Sequence, residues 1–337
     1  MIARVADHCF WLGRYIERAE STARVLQVTG ALALDAELPP VRCWHPVLIV
    51  AGQEGDFVAR HGRDALGDAE LVQRYMVTDE DNPVALRRSV AAARENTRSV
   101  REVVSLEVWQ TINELHVFLD SDEAEAMYQH DRDALYARVQ RGTQLALGLL
   151  RSTMLHDAPL DYIWLGVLLE RVSQTARLLD VQHHALLAEG APHPVLETAL
   201  WLSLLRACSG FEAFMKRNRG KVAGSSVAAF LILEPRFPRS VTYCVTSARE
   251  RLEAITGGDD APGSHALDHL TGLEGWLAGL APDSLHGPRV HEVLTHVVDE
   301  AHAACAAVSS ELLGQGDEHG GESGEASPQT QTQSQSP

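Results

Sequence analysis

The chain has 337 residues, 45% of them hydrophobic, and a formal net charge of -17 at pH 7. This length and apolar content suffice for a large buried core, formed by one domain or by two closely packed halves. So strong a negative charge disfavours nonspecific binding to nucleic acid or to an anionic membrane surface, and we predict neither partner.

Two further classes of protein are disfavoured by the sequence pattern. No apolar run approaches the roughly 18 to 20 residues that cross a bilayer, and the first residues lack the basic start and cleavage site of a secretory signal. The five cysteines are widely spaced and form no CxxC motif, which argues against a disulfide framework and a cysteine-based zinc site. We therefore expect a cytoplasmic protein whose cysteines are small core residues.

Helical periodicity alternates with proline and glycine breaks along the chain, and few stretches show the alternation of a β-strand. This pattern predicts an all-α multi-helix bundle. The predicted helices cover residues 2–32, 41–54, 68–76, 82–118, 122–155, 160–188, 194–218, 226–234, 238–256, 263–280 and 288–313. No glycine-rich turn follows a strand, so neither a dinucleotide-binding fold nor a P-loop is expected.

The first predicted helix recurs near the middle of the chain. Ten of the eighteen positions from Trp11 to Val28 return, at one fixed offset, from Trp164 to Val181. The identical pairs are Trp11/Trp164, Leu12/Leu165, Gly13/Gly166, Glu17/Glu170, Arg18/Arg171, Thr22/Thr175, Ala23/Ala176, Arg24/Arg177, Leu26/Leu179 and Val28/Val181. Such agreement exceeds what composition produces, so we predict an internal duplication related by a pseudo-twofold axis.

The repeated residues include charges. Each copy carries one glutamate and two arginines at matching positions: Glu17, Arg18 and Arg24 in the first, and Glu170, Arg171 and Arg177 in the second. The matched residues occupy three faces of a helix rather than one stripe, which predicts a helix surrounded by protein. Because buried charges need partners, we expect each copy to find them in the other, with Gly13 and Gly166 permitting close approach.

Two interpretations of these repeated charges follow from the residue types. The first is a buried ion-pair network that sets the register of the two helices. The second is a substrate-binding site, because the planar guanidinium of arginine grips a carboxylate or phosphate through two hydrogen bonds. The sequence leaves both interpretations open.

A basic segment follows the second copy. From Lys216 to Arg239 the chain has six basic residues against one acid, Glu234. The basic residues are Lys216, Arg217, Arg219, Lys221, Arg236 and Arg239. A basic island in an acidic chain predicts a site for a phosphate, a carboxylate or an acidic partner, and Ser225 or Ser226 is expected to cap the next helix beside it. The alternative is a solvated loop that balances neighbouring acidic helices.

Several histidines in the second half of the chain are considered as metal ligands. His291 and His296 superficially match a zinc-binding helical pair, but their separation of five residues places them about 140° apart. His183 and His184 are interpreted as capping or packing residues at the end of the second repeat helix. We predict no metal and no cofactor.

Residues 314–337 are acidic and polar with almost no apolar side chain, which predicts a disordered tail.

The repeat and two later segments resemble the Alpha-E family, a predicted all-helical bacterial domain named for a Glu-Arg motif. The later segments are WLSLLRACSGFEAF and FPRSVTYCV, and ARENTRSVREVVSLEVWQTINEL resembles the middle helix of the family. The resemblance implies one helical domain over residues 1–313. It also implies partners, since such domains occur beside or fused to circularly permuted ATP-grasp ligases and transglutaminase-like proteases. It carries over no catalytic residue.

The resemblance implies a helical accessory or partner component of an ATP-grasp-linked pathway that forms peptide or amide bonds or modifies peptides. The alternative is an enzyme that uses the repeated charges on a carboxylate-bearing peptide or a phosphorylated intermediate, and a second alternative is a purely structural interaction module. Glu20 of the first copy corresponds to Ser173 of the second, so the copies are not interchangeable. An open polar cavity at the Glu-Arg pairs favours an enzyme, whereas a dry, paired cluster favours a module.

Overall fold

A computed structural model describes residues 2–35, 38–187, 193–219, 222–257 and 262–314. Within these residues the chain forms fifteen α-helices and no β-strand, which confirms the all-α prediction. The helices are α1 (Ala3–Asp35), α2 (Pro40–Ala51), α3 (Glu54–His61), α4 (Ala69–Val77), α5 (Leu86–Ser99), α6 (Leu106–Leu119), α7 (Asp122–His130), α8 (Arg132–Thr153), α9 (Ala158–Leu187), α10 (Pro194–Ala207), α11 (Phe211–Asn218), α12 (Gly224–Leu233), α13 (Val241–Thr256), α14 (Ser264–Ala278) and α15 (Pro288–Glu311), with 3-10 turns at Arg63–Gly67 and Pro282–Ser284. The predicted tail lies outside the described residues from residue 315 onward.

Three predicted helices are each two helices in the structure: 82–118, 122–155 and 194–218. Ser105 begins α6 by accepting a hydrogen bond from the N–H of Val108 over 3.3 Å, and Asp131 begins α8 by accepting from the N–H of Ala134 over 3.0 Å. Serine and aspartate side chains bond the free N–H groups of a helix start and therefore favour these positions. The third break contains Ser209, whose φ of 54° ends α10.

Two long helices form the centre of the fold. Helix α1 packs against α9 and also contacts α5 and α8, while α6 packs against both of the latter. On the other side, α9 contacts α13 and α15, while α14 packs against both of these. The molecule therefore contains two four-helix groups joined through α1 and α9, and α2 and α10 each contact both central helices.

The central helices approach closely at a pair of glycines. A Cβ atom at Gly13 would lie 2.0 Å from the carbonyl oxygen of Ile163, and a Cβ atom at Gly166 would lie 2.1 Å from that of Phe10. Backbone atoms of packed helices cannot yield as the tip of a side chain does. Phe10 and Ile163 each precede the glycine of their own helix by three residues, so the contact is reciprocal. The predicted close approach is confirmed.

Apolar side chains form two clusters, and α1 contributes to both. The larger cluster includes Phe10 and Ile16, and the smaller includes Ala19 and Leu26. On α1 the carboxylate of Glu17 lies between these clusters and is 0% exposed. An ion in such a place costs several kcal/mol unless it is paired, so the packing itself requires charged partners.

Two simpler predictions are that the cysteines are small core residues and that no segment crosses a membrane. All five cysteines are free thiols, and only Cys305 is more than slightly exposed. Burial raises the pKa of Cys9, Cys208 and Cys244 to about 12, as expected of core thiols. None of the helices in the described part of the chain is both long enough and apolar enough to span a membrane.

Candidate functional site

The repeated charges meet in reciprocal pairs where α1 contacts α9. Arg18 Nε on α1 donates a hydrogen bond to Glu170 Oε1 on α9 over 2.9 Å. In return, Arg171 Nη2 on α9 lies 2.9 Å from Glu17 Oε2 on α1. Both carboxylate side chains are buried, with 0% exposed for Glu17 and 3% for Glu170. These four residues are paired across the two copies, as the sequence predicts.

Each of the two glutamates also binds an arginine from outside the repeated positions. Arg14 Nη2 lies 2.8 Å from Glu170 Oε2, and Arg239 Nη1 donates to Glu17 Oε1 over 2.5 Å. Arg14 is on α1, at a position where the second copy has Val167. Arg239 comes from the segment just before α13. Two guanidinium groups therefore hold each carboxylate.

Arg239 also reaches a third carboxylate. Its Nη2 donates to Glu20 Oε2 over 2.7 Å, and the Glu20 side chain is 0% exposed. The sequence predicted Arg239 as a candidate for binding an anion or an acidic partner; in the structure two buried acids of the chain itself hold it inside the α1–α9 contact. We call the following residues the Glu/Arg cluster: Glu17, Glu20, Glu170, Arg14, Arg18, Arg24, Arg171, Arg177 and Arg239.

The pairing decides the ionisation of the buried acids. Burial by itself raises the pKa of the Glu170 carboxyl, but Arg18 and Arg14 outweigh burial and hold that pKa well below its usual range. The pKa of Glu17 is lowered in the same way, since its two arginines outweigh the effect of burial. Both carboxylates are therefore ions at neutral pH, and the cluster is a network of charges rather than of neutral hydrogen bonds.

The third repeated charge behaves differently in the two helices. Arg24 Nη2 donates to Glu20, one turn earlier on its own helix. In α9 that position is Ser173, and Arg177 Nη2 lies 3.2 Å from His302 Nε2 of α15 instead. The expectation that both arginines pair with the opposite copy is wrong. A carboxylate one turn away binds Arg24, and α9 has none there.

A pocket of about 760 Å³ lies beside the Arg24 end of the Glu/Arg cluster. It lies between α1, α10 and α11, with Arg24 and Arg206 among its polar lining residues. The apolar residues that line it are Val28, Ala31, Leu32, Val195, Leu196, Ala199, Leu202 and Phe211. Glu17 and Glu170 do not line this pocket. Both are buried, at 0% and 3% exposed, so their carboxylates face packed protein.

The rest of the basic segment is on the surface. Its exposed members are Lys216, Arg217, Arg219 and Arg236, while Lys221 lies outside the described residues. Arg217 Nε donates to Glu234 Oε2 over 2.9 Å, with 67% of the Arg217 side chain exposed. We call Lys216, Arg217, Arg219 and Arg236 the basic surface.

The helix beside the basic surface begins earlier than the sequence predicts. Helix α12 starts at Gly224 with Ala223 as its N-cap residue, so neither Ser225 nor Ser226 is the N-cap. Ser226 lies in the first turn, where its Oγ accepts a hydrogen bond from the Ala223 N–H over 3.2 Å. Gly224, the first residue of α12, packs against Trp201 with no room for a Cβ atom. Neither serine is therefore the N-cap residue, although the Ser226 side chain caps the N–H of Ala223 as one half of a capping box.

Arg14 and Glu20 were not predicted as members of the cluster, and Arg239 was predicted at another site. A local signal exists for the first two, because Arg14/Arg18 and Glu20/Arg24 are four residues apart and share a helix face. Neither is repeated in the second copy, so the repeat did not reveal them. Arg239 lies 222 residues from Glu17 in the chain, and only tertiary packing brings it to the cluster.

The paired Glu-Arg dipeptides correspond to the motif of a known protein family. One family, described as a predicted alpha-helical domain with a conserved ER motif, matches residues 1–313. The chain belongs to the Alpha-E family. Its repeated dipeptides, Glu17-Arg18 and Glu170-Arg171, are of the kind that this description names, and in the Alpha-E protein they form the reciprocal ion pairs between α1 and α9.

Proteins similar to this Alpha-E chain include three from mycobacteria. An uncharacterized protein of Mycobacterium bovis and one of Mycobacterium tuberculosis strain CDC 1551 are each 24% identical to it over 269 residues. A third, from Mycobacterium tuberculosis strain H37Rv, is 23% identical over 269 residues. Each alignment covers 75% of this chain and 30% of the relative, so the chain spans less than a third of their length. No solved structure matches the chain significantly.

Proposed function

We propose that this Alpha-E protein is the helical partner component of an ATP-grasp-linked pathway that forms peptide or amide bonds or modifies peptides. The observation that carries the proposal is that the reciprocal Glu-Arg pairs are buried and inaccessible to a substrate. Glu17 and Glu170 are buried, and each is held by two guanidinium groups. A substrate reaches neither carboxylate without separating α1 from α9, so the pairs position helices and the outer surface remains for binding.

The lengths of the relatives also support a role beside another protein unit. The matched region occupies 30% of each mycobacterial relative, which leaves most of each chain to other sequence. The class of partner follows from the Alpha-E resemblance: a circularly permuted ATP-grasp ligase, with a transglutaminase-like protease as a second partner. We place this pathway in the cytoplasm, which supplies ATP and keeps thiols such as the five free cysteines reduced.

The basic surface is the proposed contact for the ligase. It presents four positive side chains in a protein whose net charge is -17. ATP-grasp chemistry forms acyl phosphates, and exposed arginines bind such anions, or an acidic patch of the ligase, through charge-assisted hydrogen bonds. Charges at the rim of an interface also increase the association rate.

The test begins with purification of the full-length protein from its native cell and identification of the ATP-grasp ligase bound to it. The purified ligase is then titrated with the wild type and with a variant carrying Arg217→Glu, Arg219→Glu and Arg236→Glu. We expect binding to weaken at least about tenfold, since each reversal turns an attraction into a repulsion, while the melting curve stays unchanged.

A second triple variant controls for net charge alone. Arg60→Glu, Arg87→Glu and Arg98→Glu reverse three arginines whose side chains are at least 37% exposed and that, like Arg217, are paired with acids. Equal weakening by both triple variants would remove the basic surface from the proposal. A folded protein with no ligase partner in the native cell would remove the ligase itself and leave a structural interaction module.

The pocket beside Arg24 favours a second candidate function, an enzyme acting on a carboxylate-bearing peptide or a phosphorylated intermediate. Arg24 and Arg206 provide guanidinium groups at the walls, beside the eight apolar residues and the carboxylates of Asp35, Asp133 and Glu212. The buried Oγ of Ser209, also at the wall, has no hydrogen-bond partner within the described residues. An unsatisfied buried hydroxyl costs about 1 to 3 kcal/mol, and a ligand in the pocket offers it a partner.

This second candidate is tested by changing the ligand rather than the protein. An apolar acetylated dipeptide is titrated as the free acid and as the carboxamide, with inorganic phosphate as a third probe. We expect the free acid to bind at least about tenfold more tightly, because a hydrogen bond to a charged group contributes about 1.5 to 3 kcal/mol, and Arg206→Ala should abolish that preference. Equal affinity for the two dipeptides, or binding of none of the three probes, would reject the candidate.

We also propose that the two four-helix groups are copies of one ancestral unit. Their packing order supports this: α1, α5, α6 and α8 contact one another in the same sequence as α9, α13, α14 and α15. The reciprocal glycine contact and the exchanged Glu-Arg pairs support it as well. Superposition of one group on the other should match the helices in that order with a rotation near 180°, and a different order would reject the duplication.

A further inference from the structure

Two histidines and an aspartate meet at the far end of α9, outside the Glu/Arg cluster. Asp180 and His184 are four residues apart on α9 and therefore share a helix face. His291, near the start of α15, faces them. His291 Nδ1 lies 2.8 Å from Asp180 Oδ1, and His184 Nδ1 lies 3.3 Å from the same oxygen. One ligand atom from each of the three residues falls within 4.8 Å of the other two.

We propose that Asp180, His184 and His291 bind a divalent transition metal, of which zinc fits best. Zinc takes imidazole nitrogen and carboxylate oxygen at about 2.0 to 2.2 Å, so tetrahedral ligands lie about 3.3 to 3.6 Å apart. The contact between Asp180 and His184, at 3.3 Å, already has this spacing. The contact between Asp180 and His291, at 2.8 Å, is shorter than this spacing and must lengthen when the metal enters. Imidazole ligands favour zinc over magnesium or calcium, which prefer oxygen ligands.

A backbone contact holds the ligands in register without a metal. His183, next to His184 in the chain, uses its Nε2 to donate a hydrogen bond over 2.8 Å to the carbonyl oxygen of Gly287. Gly287 is the N-cap residue of α15, so this bond fastens the start of α15 to the end of α9. Ligands that are already in place lower the ordering cost of metal binding, as the conserved outer contacts of metal sites do.

The fourth coordination position faces solvent. The side chains are 52% exposed at His184 and 48% at His291. Structural zinc sites normally have four protein ligands, whereas a site with three leaves a position for water or an exchangeable ligand. In the isolated protein that ligand is water, so the site is one for exchange rather than for holding the fold together.

The sequence predicted no metal near His291 because His291 was compared only with His296. His296, five residues later, packs against Trp276 with ring centroids 4.3 Å apart. The actual neighbour, Asp180, lies 111 residues earlier in the chain. The spacing of residues along one helix cannot reveal a metal site whose ligands come from two helices that are far apart in the chain.

The probe for this site is Zn²⁺ alone, titrated by calorimetry into the full chain after treatment with a chelator and its removal. We expect saturable binding of one zinc per protein. The double variant His184→Ala with His291→Ala should bind more than about 100-fold more weakly, because loss of even an outer contact costs about 10- to 100-fold. Asp180→Asn serves as a second variant that keeps the helix surface intact, and it should also weaken binding.

The matched control replaces two exposed histidines elsewhere. His156→Ala with His265→Ala removes the same number of imidazoles from positions outside the site, and its affinity for zinc should equal that of the wild type. Circular dichroism of every variant reports the fold. Absence of saturable binding by the wild type, or equal affinity in the two double variants, would overturn the proposal.

Discussion

Helices α1 and α9 meet alike at one end and differently at the other. Near the glycine contact the Glu-Arg pairs exchange partners in the same way in both directions. Further along, Arg24 pairs with Glu20, whereas Arg177 lies against His302. The two arginines are identical in the repeat, yet their environments differ because Ser173 stands in α9 where α1 has Glu20.

The difference teaches which contacts a repeat preserves. The glycine contact joins backbone to backbone, so both helices must keep the same residues to approach at all. The arginine contacts depend on side chains that other elements can supply. Glu20 holds Arg239 from outside the repeat, whereas the buried Oγ of Ser173 has no hydrogen-bond partner within the described residues. The two ends of the cluster therefore differ at this one position: Glu20 in α1 binds arginines, whereas Ser173 in α9 binds none in the described part of the chain.

The largest effect is expected at the glycine contact. Gly13→Ala and Gly166→Ala each place a Cβ atom against a backbone carbonyl, so the helices must separate. Such overpacking should lower the free energy of unfolding by about 3 kcal/mol, measured by urea denaturation, and by similar amounts at the two sites. Gly148→Ala on α8, where a Cβ atom meets nothing within 4 Å, is the control and should stabilise by up to about 1 kcal/mol. Wild-type stability of either central variant would contradict the reciprocal contact.

The next effect separates the two repeated arginines. Arg24→Ala leaves the buried carboxylate of Glu20 with one arginine fewer, and it should cost about 3 kcal/mol. Arg177→Ala removes a side chain that contacts His302 rather than an acid, and it should cost only about 1 kcal/mol. Thermal unfolding of both variants, under one buffer condition, measures the difference. Equal losses would mean that the partner of each arginine does not set its contribution.

Acid should destabilise the protein through the reciprocal pairs. The pKa values of Glu17 and Glu170 lie below the unfolded value of about 4.3, so the unfolded chain takes up protons first as the pH falls. Their stabilisation is complete above that unfolded pKa and is lost as the pH falls through the folded pKa. The free energy of unfolding should therefore decrease below about pH 5.

A variant assigns this acid effect to one carboxyl. Glu170→Gln should be less stable at pH 7 but should lose less stability as the pH falls below about 5, by up to about 1.4 kcal/mol for each pH unit between the unfolded and the folded pKa of Glu170. Unfolding in urea at a series of pH values measures the slope. A slope identical to that of the wild type would show that another group is responsible.

The smallest effect is expected at the position that differs between the copies. Ser173→Ala removes a buried hydroxyl that makes no hydrogen bond within the described residues, so its free energy of unfolding should stay within about 0.5 kcal/mol of the wild type. The equivalent change in α1, Glu20→Ala, takes a carboxylate from Arg24 and Arg239 and should be clearly destabilising. Similar results at both positions would mean that the two ends of the cluster are not distinct.

The sequence by itself determined the helical class, the two repeat helices and the reciprocal Glu-Arg pairs. These features are local or duplicated. Hydrophobic periodicity indicates a helix, and a residue that recurs together with its neighbours indicates that both copies have similar surroundings in the fold. The glycines that permit close approach, Gly13 and Gly166, were predictable for the same reason. Helix ends at Ser105 and Asp131 were missed, although both residues favour N-caps, because continuous helical periodicity concealed them.

Only the tertiary structure decided which unrepeated residues complete the site. Arg239 belongs to the Glu/Arg cluster, and His291 faces Asp180, because packing joins helices more than a hundred residues apart in the chain. The structure also gave Arg24 and Arg177 different partners. A buried charge takes whichever opposite charge the packed fold brings within reach, and that distance depends on the arrangement of all the helices rather than on spacing along any one of them.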